Sequence, residues 1–221
     1  MPYRRTDNVT RKLAARRSAI LAAARALASE TGLGSVQIAA VAERTGIAAG
    51  TVYRYFPAKL ELIAALVDAE ATAEIAALDR AANAAPGPLS ALAATIVGFA
   101  ARALARRRLA FAMIAEPVEV ELDAARAVYR GALRSAFEAR IRAAVERGLL
   151  PAQDAGVAAA ALVGMLIEGL IGPLAPPATD DPAKVRAQVQ SLTLFGLRGL
   201  GVVDARARGL VVQTALPPPV A

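Results

Sequence analysis

The chain has 221 residues, with 26 Lys and Arg against 19 Asp and Glu, for a formal charge of +7. It contains no histidine and no cysteine, which excludes Ser-His and Cys-His nucleophile pairs, zinc ribbons, iron–sulfur clusters and disulfides. Hydrophobic residues make up 56% but aromatics only 4%, and the abundant alanine, the best intrinsic helix former, predicts an all-α protein.

Residues 1–10 read as a flexible basic arm. A helix follows over 10–29, with Leu13, Ile20, Ala24, Leu27 and Ala28 at helical spacing and Arg16, Arg17 and Arg25 among the polar positions. Gly32 and Gly34 end it. A short second helix spans 36–44, with Ile38, Val41 and Ala42 facing inward. Thr45-Gly46-Ile47 is the next break, because glycine permits the backbone angle of a tight turn. A third short helix covers 48–55 and stops at Phe56-Pro57, since proline disfavours a helical residue before it. Lys59 starts a fourth helix over 59–82. Residues 1–60 hold ten basic and three acidic side chains, whereas the other 161 carry 16 of each. The whole excess of charge therefore sits in the first quarter of the chain, as expected of a binder of nucleic acid or an anionic surface. A plain solvated basic face is the alternative.

The linker at 84–90, with Pro86 and Pro88, precedes helices over 89–107 and 109–115. Pro117 separates these from a long amphipathic helix over 118–147, whose Leu122, Tyr129, Leu133, Phe137, Ile141 and Val145 share one face. Gly148 and Pro151 close it. The next helix, 153–171, is rich in small residues. Residues 155–175 are nearly long enough to cross a bilayer, but Glu168 and the weak hydrophobicity of Ala and Gly favour a buried helix. The N-terminus begins polar and shows no signal-peptide pattern. Asp181 is placed to cap a last helix over 182–200, with Pro182 at its first position and Val185, Val189, Leu192 and Phe195 on one stripe. Residues 201–221 are expected to form a disordered tail.

The second and third helices with their glycine turn, residues 39–56, form a helix-turn-helix whose second helix can enter a major groove. Ala49, Gly50 and Thr51 are small enough for close approach to bases. Thr51 adds a hydroxyl and a methyl, and Tyr53, Arg54 and Tyr55 supply hydrogen-bonding groups. The stretch ILAAARALASETG through VAERTGIAAGTVYRYFPAKLELIAAL, residues 20–66, strongly resembles the tetracycline-repressor (TetR) family of bacterial transcriptional regulators. Its most specific part is GTVYRYFPAK, residues 50–59.

By matching position, the resemblance implies that Thr51 and Tyr53 face the groove, that Tyr55 touches phosphate, and that Lys59 meets the backbone at the N-terminus of the fourth helix, where free N–H groups favour phosphate. Tyr53 could instead pack the small core, and Phe56 is read as core because phenylalanine cannot hydrogen-bond phosphate. Val36 and Ala48 stand where the family often has hydroxyl residues, leaving Ser35 and Gln37 as polar substitutes. Ala39 and Ala40 replace residues often charged in the family.

The resemblance implies a three-helix DNA-binding domain at 1–58 followed by a larger helical ligand-sensing and dimerising domain of six helices at 59–200. It also implies a cytoplasmic homodimer that reads an inverted-repeat operator on double-stranded DNA, usually as a repressor. A small, mostly apolar effector is expected within 89–171, with Phe99, Phe111, Met113, Tyr129 and Phe137 as candidate lining residues, though each could equally be core. Glu168 needs a partner in so apolar a helix, either an arginine or a cationic ligand. Gly156, Ala160 and Gly164, with Val189 and Leu192, are the expected dimer contacts. Neither cofactor nor metal is called for. An enzyme would have to use the acidic cluster Glu116, Glu119, Glu121 and Asp123, which the helix dipole at a solvated first turn explains better. A membrane-surface module would give GTVYRYFPAK no purpose.

Overall fold

Alanine-rich runs punctuated by glycine and proline give ten α-helices and no strand among the described residues, 3–117 and 120–216, of the computed structural model. The order is α1 (Tyr3–Thr31), a 3-10 turn (Leu33–Ser35), α2 (Ile38–Thr45), α3 (Ala49–Tyr55), α4 (Lys59–Asn83), α5 (Pro88–Ala105), α6 (Arg107–Ile114), α7 (Val120–Glu146), α8 (Ala155–Leu170), α9 (Pro182–Gly199) and α10 (Asp204–Gln213).

Two expectations at the chain ends need correcting. The expected arm is helical from Tyr3 onward, because no glycine or proline interrupts residues 3–31 and arginine is a good helix former. Among the described side chains of α1, those that reach the core lie from Ile20 onward: Ile20, Ala24 and Ala28 are fully buried, whereas Leu13 is 50% exposed. The expected tail is largely a tenth helix. Gly201, at φ 90°, turns the chain after α9, and Ala207, Leu210 and Val211 bury one face of α10 against α5 and α9. The Asp204 carboxylate accepts from Arg198 and Arg208, which ties the start of α10 to α9 and holds that carboxyl below its ordinary range. Residues 217–221 of the expected tail lie outside the described residues.

The end signals near α8 and α9 act as their chemistry dictates. Asp154 accepts from the Gly156 and Val157 amides at 2.8 and 3.0 Å. Asp181 accepts from the Ala183 amide at 2.9 Å, with Pro182 at the first helical position.

A single apolar core runs through the molecule. Its small end gathers Ile20, Val36, Val41, Val52, Phe56 and Leu62 from α1 to α4. Its large end is built around α5, whose Leu92, Ala93, Ile96 and Ala100 are fully buried and which packs on α4, α7 and α9. Helix α5 is, among the described residues, the one helix long and apolar enough to cross a membrane, and 56% of its span is buried inside the fold. The stretch singled out from sequence, at 155–175, holds only the 16-residue α8.

Candidate nucleic-acid interface

The turn between α2 and α3 rests on Gly46, at φ 66°. Its N–H donates to the Glu43 carbonyl and the Ile47 N–H to the Ala42 carbonyl, both at 3.1 Å, so the last carbonyls of α2 are satisfied. A Cβ at Gly46 would meet no atom within 4 Å. The need for glycine there is conformational, not steric.

Helix α3 divides cleanly into two faces. Val52 and Phe56 are buried and Tyr55 is half-buried against the core. Ala49, Gly50, Tyr53 and Arg54 stand outward, and Thr51 sits half-buried at the edge. Tyr53 is 51% exposed, so it belongs to the outward face. The cap of α3 is Ala48, which offers no side-chain hydrogen bond. Val36 is fully buried. Gln37 precedes α2 and is exposed, but its amide donates to the Gly34 carbonyl at 3.0 Å and does not cap the helix.

Cations surround this face. Lys59 is the first residue of α4, whose N-cap Ala58 provides no side-chain acceptor, so the first-turn N–H groups remain available to an anion. Arg17 of α1 lies over the Phe56 ring at 5.2 Å, which fixes a guanidinium beside the end of α3. Arg11, Lys12, Arg16, Arg17, Arg54 and Lys59 have no acidic partner among the described residues, whereas Arg44 pairs with Glu30 at 2.7 Å and Arg25 with Glu70 at 2.5 Å. Two of the basic residues counted from sequence are thus already neutralised.

The residues proposed for a ligand pocket separate. Phe99, Met113 and Tyr129 come together around a cavity of about 30 Å³, joined by Glu70, Glu74, Arg102 and Arg106. Phe137 is fully buried core, and Phe111 is half-buried beneath Arg108; neither lines this cavity. Glu168 has a partner other than the expected arginine. Its carboxylate accepts from the Leu174 N–H at 2.9 Å, serving the loop after α8, and it pairs with no arginine among the described residues.

The expected dimer contacts also divide. Ala160 and Gly164 are exposed and Gly156 half-exposed along the outward stripe of α8. Val189 is fully buried within the protomer and so cannot form an interface. Leu192 is half-buried, its methyls pressed on Gly169. The outward residue of α9 is instead Phe195, 64% exposed, and with Val157, 68% exposed, it borders an apolar groove of about 380 Å³ between α8 and α9.

A joint between the small and large ends went unread in the sequence. The Glu116 carboxylate accepts from the Leu33 N–H at 3.0 Å and pairs with Arg108 at 3.5 Å. Arg108 in turn donates to the Thr31 carbonyl at 2.7 Å. Gly32, at φ 92°, makes this possible, because a Cβ there would overlap the Arg108 guanidinium and the Glu116 carboxylate. Arg126 of α7 is buried and donates to the Ala112 and Glu116 carbonyls; burial lowers its pKa. Of the acidic cluster weighed for catalysis, Glu116 belongs to this joint and Asp123 pairs with Arg130 at 3.1 Å on the surface. Glu119 lies outside the described residues, as does the side chain of Glu121. No local spacing signals this joint; elsewhere, the burial of Glu70 and Glu74 was legible from their place on the α4 stripe with Ile63, Leu66, Val67 and Leu78.

Residues 20–66 match the family model described as bacterial regulatory proteins, tetR family. The HTH-type transcriptional repressor KstR of Mycolicibacterium smegmatis is 44% identical over 94 residues, 42% of this chain and 46% of the relative. The chain therefore matches about half the length of this curated relative. Among solved structures, that of RolR with the ligand resorcinol superposes with a TM-score of 0.67 at 24% identity, over 96% of this chain and all of the other. The regulator FadR from Bacillus subtilis, in complex with stearoyl-CoA, superposes with a TM-score of 0.70 at 17% identity, over 84% of this chain and 98% of the other. These two likenesses establish the fold.

Proposed function

We propose, for a chain that belongs through residues 20–66 to the tetR family of bacterial regulatory proteins, that it is a ligand-responsive regulator of transcription acting in the cytoplasm as a repressor. The observation that carries this reading is the outward face of α3. Ala49, Gly50, Tyr53 and Arg54 stand outward there with Thr51 at the edge, and Arg54, Lys59 and the Arg17 stacked on Phe56 have no acidic ion-pair partner among the described residues. Small residues at the helix start allow close approach to base edges, Tyr53 and Thr51 supply readout, and Lys59 with the first turn of α4 holds a phosphate. Residues 1–58 form the reading head. Residues 59–200, extended by α10, form the sensing and dimerising domain.

Two heads joined by a two-fold axis read an inverted repeat. The outward stripe of α8, with Ala160 and Gly164, and the exposed Phe195 of α9 suit a homodimer interface. A small molecule lowers DNA affinity if it binds better to a form whose heads are wrongly spaced. The names of the relatives support this reading: KstR is a repressor, and RolR and FadR were solved with small molecules bound.

The test is selection of bound duplexes from a random pool, followed by repeat selection with variants. An inverted repeat is expected. Thr51→Ala should change preference at one position in each half-site, whereas Lys59→Ala should weaken all sequences alike. Failure to enrich any duplex would overturn the proposal.

A further inference from the structure

The cavity between α4, α5, α6 and α7 has polar walls at one end and apolar walls at the other. The polar end contains two buried carboxylates, Glu70 and Glu74, of which Glu74 is held on both oxygens and Glu70 on Oε1 alone. Glu74 receives Arg102 through Nε and Nη2 at 2.8 to 3.2 Å. Glu70 receives Arg25 Nε at 2.5 Å. The donors are a different matter. Arg106 lies 3.8 Å from Glu70, beyond hydrogen-bond reach, and its guanidinium makes no hydrogen bond among the described residues. The Tyr129 side chain is 5% exposed and lines the cavity, and its hydroxyl has no protein partner among the described residues. Burial, with Glu74 and Glu70 close by, pushes the Tyr129 phenol far above its ordinary pKa, so it remains a donor at neutral pH.

Two donors without a hydrogen-bond partner, the Tyr129 hydroxyl and the Arg106 guanidinium, thus stand at the cavity beside one open acceptor, Glu70 Oε2. The charged lining is balanced, Arg102 and Arg106 against Glu70 and Glu74, and the excess of one positive charge in the wider cluster comes from Arg25, which binds Glu70 from outside the lining. We infer that this cavity is the seat of a small apolar monocarboxylate, held by the Tyr129 hydroxyl and the Arg106 guanidinium, with its body against Phe99, Leu109, Met113 and Ile114. This deepens, and rests on, the ligand-responsive reading above. A neutral ligand would leave the cluster with its unbalanced charge, and a cation would add to it. A cavity of about 30 Å³ holds about one water. The carboxylate of the ligand fits there, while its body must open the apolar wall contributed by α6. Arg106 is 35% exposed at its side chain and marks the way in. The same carboxylate competes with Glu70 for Arg106, and Glu70 is the group that holds Arg25 of the reading head.

The test is calorimetric titration of the full chain with benzoate, phenylacetate and hexanoate, against benzamide and benzylamine at matched ionic strength. At least one carboxylate should bind, benzamide should bind about 10-fold more weakly or worse, and benzylamine should not bind. Tyr129→Phe and Arg106→Gln should each weaken the carboxylate about 10-fold or more, with thermal melts confirming that both variants fold. The proposal falls if benzamide equals benzoate, if benzylamine binds comparably, if neither variant matters, or if none of the three carboxylates binds at about 5 mM, a concentration at which even weak sites fill. Duplex selection separates the two readings. Specific DNA binding without carboxylate binding removes this inference alone, and carboxylate binding by a protein that selects no duplex removes the regulatory reading alone.

Discussion

The salt dependence of DNA binding should distinguish the cations that are free from those that are neutralised. Each phosphate contact contributes about 0.9 to the slope of log affinity against log salt. Lys59 stands at the uncapped start of α4 without an acidic partner among the described residues, so Lys59→Gln should remove one contact per head and two per two-headed complex. The slope should then flatten by about 1.8, and a rise from 50 to 200 mM salt should cost the variant about 12-fold less affinity than it costs the parent. Arg54→Gln should behave similarly. Arg44 is held by Glu30 at 2.7 Å, so Arg44→Gln should leave the slope at the parent value even if Glu30, once released, lowers affinity. Fluorescence anisotropy with a selected duplex at five salt concentrations measures all three. An Arg44 slope change equal to that of Lys59 would show that the ion pair opens on binding and that pairing in the free protein does not identify the phosphate contacts.

Three further outcomes follow from particular residues. Gly164→Leu should fold normally, because a Cβ there meets nothing within 4 Å of its own protomer, yet should halve the mass seen by light scattering; an unchanged dimer would move the interface off α8. Gly46→Ala should cost about 1 kcal/mol in urea unfolding, purely for the left-handed backbone, while Gly34→Ala, open to solvent and free of that constraint, should cost much less; equal costs would refute a conformational origin. The third outcome is a pH effect. Burial raises the Tyr129 pKa in the folded protein, whereas the unfolded chain loses that proton near pH 10. The stability from neutral Tyr129 is therefore full below about pH 10 and declines above it. Tyr129→Phe should show a smaller fall in its urea midpoint between pH 8 and pH 11 than the parent, and identical falls would contradict the buried, protonated phenol.

The helix-turn-helix was legible because its determinants are local. Gly46, the Phe56-Pro57 stop and the apolar spacing of Ile38, Val41 and Val52 lie within twenty residues of one another, and a contiguous motif runs through them. The long helices were legible from periodicity for the same reason. What was lost depends on partners distant in sequence. Arg25 and Glu70 are 45 residues apart and Arg102 and Glu74 are 28 apart, so nothing near either residue signals the pairing. Helix α8 is apolar on every side, so spacing alone could not tell the buried Ala159, Leu162 and Leu166 from the outward Ala160 and Gly164. In α9, the sequence reading puts Val189 and Phe195 on one stripe, but Val189 faces inward and Phe195 faces out. The extra turns at the start of α1 were missed because no apolar stripe marks them, whereas α10 was missed because its stripe is only one turn long, Ala207, Leu210 and Val211, after Gly201 and before the proline-rich end.

The arrangement of the joint determines how a change in the sensing domain can reach the reading head. Helix α4 carries Lys59 at the DNA end and Glu70 at the cavity, 11 residues and about 16 Å apart along the axis. A tilt of about 10° about the cavity end therefore displaces Lys59 by about 3 Å. In a two-fold dimer both heads move, and opposed displacements alter their separation by about 6 Å, close to two base-pair steps of 3.4 Å. Helix α1 is fastened at two points: Arg25 to Glu70 of α4, and Thr31, with Leu33 of the following turn, to Arg108 of α6 and to Glu116 just after it. Helix α6 also supplies Leu109, Met113 and Ile114 to the cavity wall. On the reading proposed above, a ligand that widens the cavity would move the same short helix whose Arg108 holds the end of α1, and α1 packs on α2. A typical coupling of about 1–3 kcal/mol would change DNA affinity about 5- to 150-fold, which anisotropy with and without a bound carboxylate would measure.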